Sequence, residues 1–291
     1  MTERIGIEQL CVFGLPPVQF VNLAADLGCC HISTGLAPPR FNPHGYPKWS
    51  LRDDRTLRRE MLAAMHDRGV SISLSEGFAV MPDGDPSKIA ADLEAVCELE
   101  SKRICAVSID PDLQRGFDQL AILAEMAGAI GLETTLEFAP TSPIPDLHTA
   151  VAAVRHVGRQ DFRLLIDTMH LVRSGSGAAE LAALDPNLIG YVQLCDVPLV
   201  SAHSDYVREA RYERLAPGAG ELPLLDILAV LPRDLVVGLE VPQRSQAEAG
   251  VGHKERLSPC VQAARDLLTR LEGRHTREGG DCNSTDCPSS H

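Results

Sequence analysis

The sequence predicts an α/β fold: a parallel eight-stranded (β/α)8 barrel, a TIM barrel, folded as a single domain. Three observations predict it. Eight short aliphatic runs alternate with amphipathic stretches over about 270 residues, the length and rhythm of such a barrel. The segment after the first run, CVFGLPPVQF, lacks the glycine-rich loop with which an open doubly wound sheet normally begins. Four later runs each end in an acidic or amide side chain: Glu137 in TTLEF, Asp167 in LLIDTMH, Gln193 in IGYVQLCD and Glu240 in VVGLEVP.

Taken in order, the strands are expected at 4–10, 28–34, 70–76, 103–109, 132–138, 162–167, 188–195 and 235–241. Each is short and rich in Val, Ile and Leu, as strands buried on both faces are. Helices are expected at 55–68, 84–101, 113–130, 147–157, 177–184, 222–231 and 254–272. Gly69, Gly131 and Gly158 follow helical runs where C-terminal caps belong. Asp85-Pro86-Ser87 and Pro145-Asp146 read as helix starts. The barrel domain spans residues 1–272, and the polar, Gly/Ser-rich stretch 273–291 reads as a disordered tail. His275, Cys282, Cys287 and His291 in that tail match no standard zinc spacing.

Composition excludes several classes. The 291 residues are 44% apolar, ordinary for a globular protein, and no run is long enough to span a bilayer. The first residues, MTERIGIEQLCVFG, lack a basic segment followed by a long apolar one, so no secretory signal and a cytoplasmic location are expected. Forty acids against 27 bases give a net charge of −13, which repels nucleic acid. The nine cysteines read as reduced, mostly core residues.

In this fold, residues at the C-terminal ends of the strands form the active site. A carboxylate at the end of a buried strand is expensive unless a cation receives it. Glu137, Asp167, Gln193 and Glu240 could therefore converge on one hard divalent cation. Among further candidates, Arg214, just before Pro217-Gly218-Ala219-Gly220, suits a substrate oxygen or carboxylate. Arg208 and Arg211 read as solvated partners of Glu209 and Glu213. Glu76 ends the third run and His31 lies in the second, where either could face the substrate or play a buried structural part. Asp196 is either an orienting group or a solvated loop acid. The Pro-rich loop 36–54, with Phe41, Tyr46 and Trp49, reads either as a partly ordered lid in which Trp49 touches substrate or as a loop packed on the barrel rim.

The segments LEF, the Asp-x-x-His of IDTMH, VQLCD, the loop ending R-L-A-P-G-A-G and the final LEVP occur in an order that resembles the xylose-isomerase-like barrel superfamily of sugar phosphate isomerases and epimerases. The resemblance covers about residues 4–272. It implies one divalent metal on Glu137, Asp167, Gln193 and Glu240, with Glu137 and Glu240 doubling as acid–base groups and His170 contacting substrate oxygens. Many members have His at the third position; Gln193 makes the set all-oxygen, which favours Mn²⁺ or Mg²⁺. The implied activity is isomerisation or epimerisation of a small polyhydroxylated substrate, a sugar or related hydroxy-ketone, through a metal-stabilised enediolate. The alternatives are a lyase like the inosose and 3-dehydroshikimate dehydratases, with which a glutamine ligand is compatible, or a non-catalytic barrel subunit. Apurinic endonucleases share the barrel but need a three-metal cluster with further histidines, and strands three and four end here without one. Helices on the outside of such a barrel are compatible with a homo-oligomer.

Overall fold

The computed structural model describes residues 4–278 except Asp83 and Ala202. Eight strands form one closed parallel barrel in chain order: β1 Ile5–Ile7, β2 His31–Thr34, β3 Ser71–Val80, β4 Arg103–Ser108, β5 Glu133–Leu136, β6 Phe162–Asp167, β7 Ile189–Leu194 and β8 Val237–Leu239. β1 pairs with both β2 and β8, so no sheet edge remains. The principal outer helices are α1 Pro17–Asp26, α2 Arg55–Arg68, α3 Ala90–Glu98, α4 Leu113–Ala129 and α5 Leu147–Val157. They continue as α6 Thr168–Arg173, α7 Ala178–Ala182, α8 Tyr206–Tyr212, α9 Leu224–Ala229, α10 Arg244–Glu248 and α11 His253–Glu278.

Local chemistry sets these boundaries. Asp54, Asp112 and Asp146 cap α2, α4 and α5, each accepting a backbone N–H three residues on. Gly69 and Gly158 end α2 and α5 in the left-handed conformation, at φ 65° and 66°. Several elements depart from the sequence expectation. β1 stops at Ile7 because Gln9–Val12 wind into a 3-10 turn, and α3 starts at Ala90 after a 3-10 turn over Pro86–Ile89. β3 continues three residues beyond Gly77, after a register shift against β4. α1, absent from the expected list, opens with Pro17 at its first position, and α11 runs to Glu278, past residue 272.

The main core lies between barrel and helices. Leu74, Cys105, Leu165 and Tyr191 form a separate cluster. They come from β3, β4, β6 and β7, strands that are not all neighbours, so they meet only inside the barrel. The seven described cysteines are free thiols, and five of them are buried. No described helix is long and apolar enough to cross a membrane.

Candidate metal centre and active site

The strand ends hold their acids firmly because the ladder of backbone hydrogen bonds continues through them. Glu8 N–H donates to Leu239 O (3.0 Å), Glu137 N–H to Ala106 O (3.0 Å) and Glu240 N–H to Leu194 O (3.1 Å). Asp167 is the last residue of β6 and sits beside Gln193 of β7 in register. It also caps α6, accepting the His170 N–H at 2.9 Å. The spacing Asp-x-x-His thus has a local cause: the cap carries the histidine back over the strand end.

These groups surround a cavity of about 400 Å³, lined by Glu76, Glu137, His170, Tyr206, Arg211, Arg214 and Glu240 among others. A second lobe of about 290 Å³ on the β1–β3 side shares Leu10 and Glu76 with it. Arg214 is almost fully buried. Its Nη1 bridges Asp167 Oδ2 (2.5 Å) and Glu240 Oε2 (3.0 Å), and its Nε donates to Ala210 O (2.6 Å). One guanidinium therefore serves a cluster that includes Glu8, Glu76, Glu137, Asp167 and Glu240. The imbalance is visible in the acids. Burial, aided by Asp167 and Glu76, pushes Glu137 up to about 7. Burial, against the pull of Arg214, raises Glu240 well above the carboxylate range. Asp167 goes the other way: burial opposes its charge, but Arg214 and His170 together bring it down to about 2.

Buried His170 is held neutral, at about 4, by burial. The Tyr206 hydroxyl lies 2.5 Å from Nδ1, while Nε2 faces Glu137 Oε1 at 3.5 Å. With Tyr206 donating, the ring proton resides on Nε2 and points at the cavity.

The donor set fits a cation. Glu137 and Asp167 offer carboxylate oxygens within 4.8 Å of each other; His170 lies at the same spacing, but with Tyr206 on Nδ1 and the proton on Nε2 it offers no lone pair. Gln193 is buried, and its Oε1 has no hydrogen-bond partner. A buried carbonyl oxygen without a donor costs about 1–3 kcal/mol, and a positive charge beside it would remove that penalty. Cation binding would require Arg214 to share or yield the inner carboxylate oxygens.

The structure thus gathers Glu76, Glu137, Asp167, His170, Gln193, Arg214 and Glu240. His31 is not among them. It starts β2 at the N-terminal end of the barrel, where its Nδ1 pairs with Ser71 Oγ (2.9 Å), because the second strand begins later than the sequence suggests. Trp49 does not line the cavity; its indole donates to Gly14 O (3.1 Å) and fixes loop 36–54 to the rim. Phe41 packs edge-on to Phe13 and Tyr212, and Tyr46 bonds His253 at 3.0 Å. Asp196 is buried rather than solvated and holds the backbone N–H groups of Val197, Gly218 and Leu222. Arg208 and Arg211 do not pair with Glu209 and Glu213. Glu209 is taken by Arg173 (2.9 Å) and Glu213 by Ser245, which leaves Arg211 on the cavity mouth. Sequence reasoning missed Tyr206, hidden in a loop read without a helix, and Glu8, placed inside the first strand.

The sequence matches the xylose isomerase-like TIM barrel family over residues 21–258. No curated protein sequence is a significant match. Among solved structures, a xylose isomerase-like TIM barrel/4-hydroxyphenylpyruvate dioxygenase fusion protein aligns at TM-score 0.73 and 18% identity, over 98% of this chain and 46% of that one. The chain thus spans about half the length of that fusion. The IolI protein, crystallised with a zinc atom, aligns at TM-score 0.72 and 17% identity, over 93% and 98% of the two chains. An L-ribulose 3-epimerase gives 0.70 and 14%, over 98% and 100%. The "probable 3-DHS dehydratase AsbF" of Bacillus anthracis gives 0.67 and 12%, over 91% and 98%. Identities this low carry the fold alone.

Proposed function

The chain belongs to the xylose isomerase-like TIM barrel family, and from that premise we propose that it is a divalent-metal-dependent isomerase or epimerase of a small polyhydroxylated carbonyl compound. One observation carries the reading. Strand-end Glu137, Asp167, Gln193 and Glu240 share one end of the barrel, where Gln193 Oε1 is buried without a donor and the carboxylates outnumber the single guanidinium of Arg214. Those four residues would hold the cation, and their all-oxygen donors favour Mn²⁺ or Mg²⁺. Bound there, the cation supplies charge that polarises a carbonyl and its neighbouring hydroxyl and acidifies the C–H bond between them.

The protein's own groups do the proton work. Glu137, which lines the cavity at the end of β5, is the group placed to take up the proton. Glu240 follows β8, three strands on around the barrel, and can return it from another side. Return to the opposite face of the same carbon gives an epimer; return to the adjacent carbon gives an aldose–ketose isomer. His170, through its Nε2 proton, and Arg214 orient substrate oxygens.

Dehydration is the second reading, since the same proton removal can expel a β-hydroxyl. Two observations favour it: an amide at the third ligand position, and Arg211, an exposed guanidinium at the mouth with no carboxylate partner among the described residues. Arg211 suits an acidic substrate.

The test is metal content and solvent deuterium exchange. We expect one Mn²⁺ per chain and deuterium entering substrate in D₂O. Glu137→Ala and Glu240→Ala should each slow turnover by about 10²–10⁴, the usual contribution of a positioned acid or base. A protein that takes up no Mn²⁺, with turnover indifferent to both substitutions, would overturn the proposal. Neutral ketoses and acidic cyclic hydroxy-ketones, assayed side by side, separate the two readings.

A further inference from the structure

Glutamine is an ambiguous ligand. Its amide is nearly symmetric in shape, yet only the oxygen has a lone pair to offer; the nitrogen is a donor. A protein that uses Gln193 as a metal ligand therefore needs something to choose which end points inward.

The structure holds such a group, one that the strand-end ligand set does not include. Glu8 follows β1 and is fully buried inside the barrel. Its Oε2 receives Gln193 Nε2 at 3.4 Å, and its Oε1 accepts the Tyr191 hydroxyl at 2.8 Å. Tyr191 is backed in turn by Ser73 Oγ at 2.9 Å. β8 stands between β1 and β7, so a side chain there would block the reach of Glu8. The intervening residue is Gly238, the register partner of both Gly6 and Gln193. A Cβ at that position would lie 1.6 Å from Glu8 Oε1 and 2.8 Å from the Tyr191 hydroxyl. The carboxylate occupies the room the glycine leaves. With the amide nitrogen engaged by Glu8, Gln193 Oε1 is the end left without a partner.

We propose that Glu8 is a positioning residue: it draws the Gln193 amide nitrogen to itself across Gly238 and so presents the oxygen to the divalent cation. This rests on the metal-dependent reading above. Glu8 does not touch substrate; it acts through Gln193, as partners behind metal ligands do.

The experiment is a double-mutant cycle read by Mn²⁺ affinity, measured calorimetrically on the full chain. Glu8→Met, which keeps volume but removes the acceptor, should weaken Mn²⁺ binding about 10–100-fold. In a Gln193→Ala background the same substitution should change affinity by no more than about twofold, because no amide is left to orient. Gly238→Ala, which displaces the Glu8 carboxylate, should reproduce the Glu8→Met loss and provides a second route if Glu8→Met does not fold. Melting without metal checks that each variant is folded. Equal weakening in both backgrounds, or none in the wild-type background, would overturn the inference while the metal-dependent function stood. Wild-type protein that binds no Mn²⁺ would remove both.

Discussion

Tyr206 shows how one hydroxyl can set the chemistry of a neighbouring ring. When it donates to His170 Nδ1, the imidazole proton is left on Nε2, the nitrogen that faces Glu137. Tyr206→Phe frees the tautomer and removes one hydrogen bond of about 1 kcal/mol, so kcat should fall about fivefold. Substrate affinity should change little, and steady-state kinetics with the Phe variant checks both. Some of this residue-level detail was legible in the sequence and some was not. Glu137, Asp167, Gln193 and Glu240 could be found because each terminates an apolar run, and burial of a charge there demands a reason. Glu8 ends such a run too, IGIE, but QLCV continues the apolar pattern and conceals the strand's end. Gly238 in VVGLE carried a usable signal, since a glycine within a strand marks close approach of another group. Tyr206 gave none, because its contact with His170 exists only in three dimensions.

The elements were legible where period and punctuation agree. α2, α4 and α5 carry amphipathic repeats closed by Asp caps and, for two of them, by glycine, and they fall within a residue of expectation. The segment after β7 has no such regularity, and its order comes from one side chain instead. Asp196 accepts three backbone N–H groups, from Val197 (2.9 Å), Gly218 (2.8 Å) and Leu222 (3.0 Å), and its backbone pairs with Leu215. That bridge stations Arg214 one residue away. Asp196→Ala orphans those donors and should cost about 3 kcal/mol, as bonds to a charged acceptor do. Chemical denaturation measures the loss. A rise in KM should accompany it, because Arg214 loses its anchorage; KM unchanged in the folded variant would show that the loop holds Arg214 by other means.

For the molecule as a whole, the acid cluster ties stability to pH and to cations. Burial raises the pKa of Glu8, Glu137 and Glu240, the middle one to about 7. Groups whose folded pKa exceeds the unfolded value favour the fold while protonated, and that support is lost as pH rises through the folded value. His170, depressed to about 4 by burial, acts in the opposite sense, but its contribution is complete once pH exceeds 6.5. Above 6.5 the buried carboxylic acids set the slope, joined near pH 8.5 by the buried thiols that burial also raises. Metal-free protein should melt at lower temperature at pH 8.5 than at pH 6.5, and saturating Mn²⁺ should raise Tm more at 8.5. Glu137→Gln should flatten the metal-free slope; a metal-free Tm that climbs over this range would refute the account. The gap that Gly238 leaves in β8 also has a meaning in time. Glu8 emerges early in synthesis, whereas its route to Gln193 and its neighbour Glu240 belong to a strand made near the end. Before β8 is in place, Glu240 is missing from the cluster and no strand joins β7 to β1 to bring Glu8 up to Gln193. Closure by β8 therefore completes the cluster, adding Glu240 to Glu137 and Asp167 and joining Glu8 to Gln193. For a growing chain, the full set of site acids therefore cannot assemble until β8 has been made.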